Sequence, residues 1–301
     1  MSLKVWMVEI RVPFLLLPVI LAIVGTSLAL YDGHFDAINF ALFTAVLVLL
    51  HITVNTLNEY YDHLSGIDAN NTKRTMFNGG TGTLQAGLLS PQQVLNMAIA
   101  SFVIAAMIAA VVVYRTGPVL IPLVVLGMVF ALFYTQIFAR NMFGEIAAGL
   151  GLGVLPVLGA YMVQNPDPTA TCIALSLMAG ILTFNLLLLN EFPDLEADVK
   201  GGRRNLVIAL GYRKAAWLYA ALTFSVYGIL LLLVVLDMLP PLSLLGLLTL
   251  PIAFKAASMS FTDPREISSF QLGQKANVQV ILGTQAFLAL GLLVAALMLA
   301  I

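Results

Sequence analysis

Two short polar segments interrupt an otherwise apolar chain, and both carry residue types that hold cations. Asn58, Asp62 and Asp68 form the first, and Asn190, Asp194 and Asp198 the second. Asn58 and Asp62 are one helical turn apart and share a face. Ser65-Gly66 can end that helix and fold Asp68 back. Asn190, Asp194 and Asp198 make one stripe if the helix runs on past Pro193, where a kink is expected; Glu191 and Glu196 then point elsewhere. Both segments read Asn-Glu-aromatic-x-Asp, at 58–62 and 190–194. Carboxylates crowded at one site repel one another unless a cation neutralises them. An oxygen donor set selects a hard divalent ion, Mg2+, which keeps positions open for water and phosphate. Basic and glycine-rich stretches follow: Lys73 and Arg74 with Asn78-Gly79-Gly80-Thr81-Gly82, and Lys200-Gly201-Gly202-Arg203-Arg204. Glycine lets backbone N–H groups approach an anion, and Arg or Lys supplies charge. The combination fits a diphosphate bridged to the chain by Mg2+.

A third polar stretch runs from Tyr134 through Arg140 to Gly144-Glu145. Glu145 opens an apolar segment, where an acid is costly in lipid and is a functional candidate. His51 lies inside an apolar segment and reads as a packed or hydrogen-bonded residue rather than a ligand; His63 and His34 have no partner histidine. The single cysteine, Cys172, excludes a disulfide framework and a cysteine-based metal site. Gly149-x-Gly151-x-Gly153 has the wrong spacing for a dinucleotide loop and reads as close helix packing or cavity lining.

These residues must be positioned by membrane helices. Of the 301 residues, 60% are hydrophobic and 10% charged, against about 25% charged in a soluble domain. Mean hydropathy is +0.99. Nine apolar stretches are long enough to span, near 12–30, 38–57, 92–114, 117–138, 143–163, 169–190, 214–236, 239–260 and 276–300. The expected fold is therefore an all-α polytopic membrane protein, one domain over residues 1–301. Its caps are the loops at about 58–91 and 191–213. The matched motifs lie four spans apart, which implies two four-helix pseudo-repeats plus one helix. With the N-terminus and the acidic loops in the cytoplasm, 13 of the 14 Lys and Arg fall inside and only Arg115 outside. The C-terminus is then outside and the plasma membrane is the expected location. A net charge of −1 leaves no basic stripe for nucleic acid, and no obligate protein partner is evident.

The pattern resembles the UbiA-type intramembrane prenyltransferases. The resemblance rests on Asn58-x-x-x-Asp62 with Asp68, Asn190-x-x-x-Asp194-x-x-x-Asp198, and the glycine and arginine that follow. It implies nine helices around a central cavity and transfer of a prenyl group from a prenyl diphosphate to an acceptor, usually aromatic, with Mg2+. Gly66-Ile67-Asp68, Asn78-Gly79-Gly80-Thr81-Gly82, Gly87-Leu88-Leu89-Ser90-Pro91, Tyr134-Thr135 and Gly144-Glu145 are similar to the menaquinone-pathway branch, whose acceptor is 1,4-dihydroxy-2-naphthoate. Glu59 stands where many relatives carry Asp, and Phe192-Pro193 where the branch often has a small residue and Arg.

By the resemblance, two Mg2+ ions sit between Asp62 and Asp68 on one side and Asp194 and Asp198 on the other. Asn58 and Asn190 coordinate or orient the diphosphate. Arg11, Lys73, Arg74, Arg140, Arg203 and Arg204 are the candidate anion partners, and Tyr134 offers a ring face to an allylic cation. Glu145 and Asp198 are alternative bases. Two other readings stand beside this one: prenyl transfer to a glycerol-phosphate ether-lipid precursor, and a cation transporter.

Overall fold

The computed structural model describes residues 2–70, 75 and 77–299. Among them, nine helices are long and apolar enough to cross a membrane. They are Val12–Tyr31, Ala37–Ser65, Pro91–Thr116, Pro118–Phe138, Gly144–Met162, Ala170–Lys200, Tyr212–Val235, Pro241–Met259 and Phe270–Leu299, called spans one to nine. A short helix, Leu3–Glu9, precedes them.

Local signals set the ends of the helices that matter for the site. Asp36 starts span two by accepting the N–H groups of Ile38 (2.8 Å) and Asn39 (2.9 Å). Gly66, at φ +76°, ends it in the left-handed conformation that glycine adopts without strain. Ser90 and Gln93 form a reciprocal capping box at the start of span three, with Pro91 as its first residue. The hydroxyl of Thr169 caps span six by accepting the N–H of Cys172.

The helices of spans two and six run on past their apolar stretches, span two to the Ser65-Gly66 end that the sequence suggests. Apolarity predicts ends near 57 and 190, but the helices continue to Ser65 and Lys200. Asn58 and Asp62 therefore sit on helix, and so do Asn190, Asp194 and Asp198; Pro193 lies inside the helix without ending it. Hydropathy marks where the apolar run stops, and both helices continue past it.

Spans one, five, six and nine pack together, with two on one flank and seven and eight on the other. Leu21, Val24, Leu28, Val157, Leu175, Leu182, Leu230, Ile281 and Leu292 form one buried core. A side chain on Gly153 would meet the carbonyl of Ala179 at 2.7 Å, so this glycine permits the contact between spans five and six. Val103, Ile104, Met107 and Val111 of span three face outward, as a lipid-bathed surface requires. Two wide π-helical turns break the regular pitch, at Tyr134–Phe138 ending span four and at Leu150–Val154 within span five. Such turns cluster at functional sites.

Candidate active site

A cavity of about 600 Å³ opens where the extended ends of spans two and six meet. Asn58, Asp62, Asp68, Tyr134, Asn190, Asp194, Asp198, Arg11 and Arg203 all line it. Both acidic segments thus face one space, as their matched patterns predict.

Arg203 ties the two sets together. Its Nη2 donates to Asp62 Oδ1, and its Nη1 lies 3.5 Å from Asp198 Oδ1. Burial works against its charge, but Asp62 and Asp198 outweigh that and hold the guanidinium firmly protonated. Its Nε is buried with no partner among the described residues, which leaves a donor for an anion. Asn205 Nδ2 donates to the other Asp198 oxygen at 3.0 Å. Asn58 Nδ2 donates to Asp62 Oδ2 at 2.9 Å, so the Asn one turn earlier orients the acid. In the second set the neighbours differ: Asn78 Nδ2 donates to Asp194 Oδ1 at 2.5 Å, and Gln274 Nε2 to Asn190 Oδ1 at 3.1 Å. Asp68 folds back as expected and lies over Gly80, where a Cβ would come within 2.5 Å of its Oδ2.

Arg11 follows the N-terminal helix with a left-handed backbone, φ +55°. Its Nη2 bonds Glu59 Oε1 at 2.5 Å. Thr81 N–H donates to both Glu59 oxygens at 3.0 Å, while the Thr81 and Thr83 hydroxyls donate to Glu9 Oε2. This buried network pins the glycine-rich loop and the N-terminal helix to span two. Burial raises the Glu9 carboxyl above its ordinary range even against those hydroxyl donors.

Other expected residues lie elsewhere. Arg140 and Arg204 are exposed and do not line the cavity. Glu145 is fully buried behind the wall, where its Oε1 accepts the N–H of Leu206 at 2.6 Å. Lys73 and Arg74 lie outside the described residues. Glu191, expected to point away, lines the cavity with its carboxyl against that of Glu145. Lys275 and Gln279 of span nine also line it; a basic residue beside glutamines near the start of an apolar span was the available signal.

The donor set is carboxylate and amide oxygen throughout. Among the described residues, no three His, Cys, Asp or Glu side chains stand close enough to hold a metal by themselves. Oxygen donors of this kind suit Mg2+, which takes one or two carboxylates and completes its shell with phosphate and water. Past His51 and Tyr134 the cavity adjoins a smaller slot of about 50 Å³, walled by Phe43, Leu47, Leu123, Gly127, Phe130 and Gly151. Apart from His51 and Tyr134, every residue lining that slot is apolar.

Nine apolar helices among the described residues, six of which line one charged cavity, define a multi-pass membrane protein with an internal site. The chain belongs to the UbiA prenyltransferase family, whose model matches residues 16–278. It is 30% identical over 202 residues to the 1,4-dihydroxy-2-naphthoate octaprenyltransferase of Bacillus subtilis, an alignment covering 66% of this chain and 63% of that protein. Its fold is similar to the apo structure of a UbiA homologue from Aeropyrum pernix, at a TM-score of 0.70 and 18% identity over 91% of this chain and 96% of that one. It is also similar to a UbiA homologue from Archaeoglobus fulgidus bound to GPP and Mg2+, at 0.64 and 15% over 94% and 99%.

Proposed function

We propose that this chain transfers a prenyl group from a prenyl diphosphate to an aromatic quinone precursor inside the membrane, with Mg2+ as cofactor. The observation that carries the reading is the convergence of Asp62 and Asp198, from spans two and six, on one guanidinium at the cavity wall. A site so built is made for a charged group that both halves of the bundle hold at once. The Bacillus relative names 1,4-dihydroxy-2-naphthoate as the acceptor to test first, and the Archaeoglobus homologue supports a diphosphate held with Mg2+.

In this reading Asp62, Asp68, Asp194 and Asp198 would hold the metal, as two ions, and Asn58 and Asn190 would orient the diphosphate. Bound Mg2+ supplies charge neutralisation at the leaving group. Arg203 donates to the diphosphate oxygens through its unpartnered Nε, and Arg11 and Lys275 add positive charge at the same wall. The bond from prenyl C1 to the diphosphate oxygen breaks with its electron pair on the diphosphate. The Tyr134 ring faces the allylic cation, a contact worth about 0.5–2 kcal/mol. An acceptor ring carbon forms the new C–C bond; aromaticity returns when that carbon releases its other substituent and keeps the bonding pair in the ring, the substituent leaving as a proton taken by a cavity carboxylate or as CO2 from a ring carboxylate. The apolar slot takes part of the hydrocarbon tail. The whole chain acts as one domain, with the site on the cytoplasmic face of the plasma membrane and the C-terminus outside, as the basic residues imply.

The test is a product assay in detergent with Mg2+, geranylgeranyl diphosphate and three acceptors: dihydroxynaphthoate, 4-hydroxybenzoate and geranylgeranylglyceryl phosphate. A prenylated naphthol identified by mass, and lost in EDTA, supports the reading. A prenylated glycerol phosphate alone would move the acceptor to the ether-lipid class.

A further inference from the structure

The polar wall of span two reaches deeper than the acidic motif. His51, Asn55, Asn58 and Asp62 recur at helical spacing and all line the main cavity. Asp62 is bonded to Arg203, and Asn58 to Asp62. Asn55 is committed through Nδ2 to the carbonyl of Ile10 at 3.1 Å. His51 ends the row. It is 6% exposed, and its buried Nδ1 has no hydrogen-bond partner among the described residues. A buried polar atom at membrane depth without a partner calls for an explanation.

His51 lines both the charged cavity and the apolar slot, so it stands at their junction. A prenyl diphosphate offers it nothing. The diphosphate belongs with Arg203 and the carboxylates, and the tail that passes the junction is hydrocarbon, with no hydrogen-bonding atom. An aromatic acceptor does offer something. Its ring must lie beside prenyl C1, between the diphosphate and the tail, and a ring hydroxyl pointed away from the acids meets the imidazole.

We infer that His51 orients the acceptor, its Nδ1 accepting a hydrogen bond from a ring hydroxyl of a hydroquinone- or naphthol-type substrate. The inference rests on the proposed prenyl transfer but is tested separately from it. His51 is the only histidine at the site, since His34 and His63 line neither cavity.

The experiment labels the three histidines with 15N in the detergent-solubilised full chain and identifies the His51 signals by their loss in His51→Gln. Addition of 1,4-dihydroxy-2-naphthoate is expected to move the His51 Nδ1 resonance, and geranylgeranyl diphosphate with Mg2+ to leave it in place. Movement with the diphosphate alone, or with neither, overturns the inference, whatever product the enzyme forms. Movement with the naphthoate supports it even if that compound is not prenylated, and in that case prenyl transfer to this acceptor is the reading that fails. Kinetics give the second readout. His51→Leu is expected to raise the acceptor KM about tenfold or more, as loss of one hydrogen bond implies, while the donor KM stays put. His51→Asn, which keeps an acceptor atom near Nδ1, restores most of the loss. An unchanged acceptor KM in His51→Leu, or equal shifts in both KM values, contradicts the assignment.

Discussion

Arg203 donates to Asp62 across 141 positions of sequence, joining the loop after span six to the end of span two. The same guanidinium lies 3.5 Å from Asp198. It occupies the place between two carboxylates that a cation must fill, and it keeps the two halves of the site in register before any substrate arrives.

Asp62→Asn is therefore expected to lower prenyl transfer by about a hundredfold to a thousandfold, the scale for removing one preorganised electrostatic contact. Arg203 keeps Asp198 as a partner, so the melting temperature in detergent should fall by only a few degrees. Turnover near wild type would remove Asp62 from the site.

Arg203→Lys keeps the charge but not the fork. A lysine ammonium is a point charge and does not reproduce bonds from two separate nitrogens to two acids. The variant should raise the donor KM at least several-fold, and Arg203→Ala further. Steady-state kinetics against prenyl diphosphate, at saturating Mg2+ and acceptor, measure both.

Gly80 adopts φ +75° and leaves room only for the Asp68 carboxylate. Gly80→Ala strains the backbone and displaces Asp68, since alanine is disfavoured at positive φ. The expected result is a rise in the Mg2+ concentration for half-maximal activity, with circular dichroism unchanged. An unaltered Mg2+ dependence would mean that Asp68 serves no metal.

Gly127 lines the apolar slot, and open space surrounds the position of its missing Cβ. Gly127→Phe should fill the slot and select against long donors. Its kcat/KM should fall more for geranylgeranyl than for dimethylallyl diphosphate, compared in parallel with wild type. Equal losses would place the tail elsewhere.

At the end of span two far from Asp62, Asp36 is held below the ordinary carboxylate range, first by the Asn39 N–H and further by Ile38 N–H and Arg115. A lowered folded-state value stabilises the fold above about pH 4, and the contribution vanishes as pH drops through that lowered value. Asp36→Ala should thus melt below wild type at pH 7, with the gap narrowing below pH 4. A gap that persists there would assign the effect to packing.

The spans and the acidic motifs were legible because each depends on local pattern: runs of apolar residues, and Asn and Asp at helical spacing. What escaped depends on neighbours far away in sequence. Six basic residues looked equivalent as anion partners, yet Arg11 and Arg203 line the cavity while Arg140 and Arg204 face outward. Glu145 was a sound candidate by its depth, but its carboxylate holds the Leu206 amide. Glu191 looked misaligned on an ideal helix beside Asn190, and the packing of spans five and six turns it into the cavity wall. His51 is buried, as a packed residue would be, but the open space it borders forms only where residues of spans one, four and five face span two.

The central claim is that the two acidic motifs form one site for one diphosphate. It is tested most directly by Mg2+-dependent binding of a non-reactive prenyl thiodiphosphate to wild type, Asp62→Asn, Asp198→Asn and the double variant. The account predicts that each single change weakens binding at least tenfold and that the double change costs clearly less than the sum, since both acids act on the same ions and on Arg203. Wild-type affinity in either single variant, or fully additive losses, would contradict it.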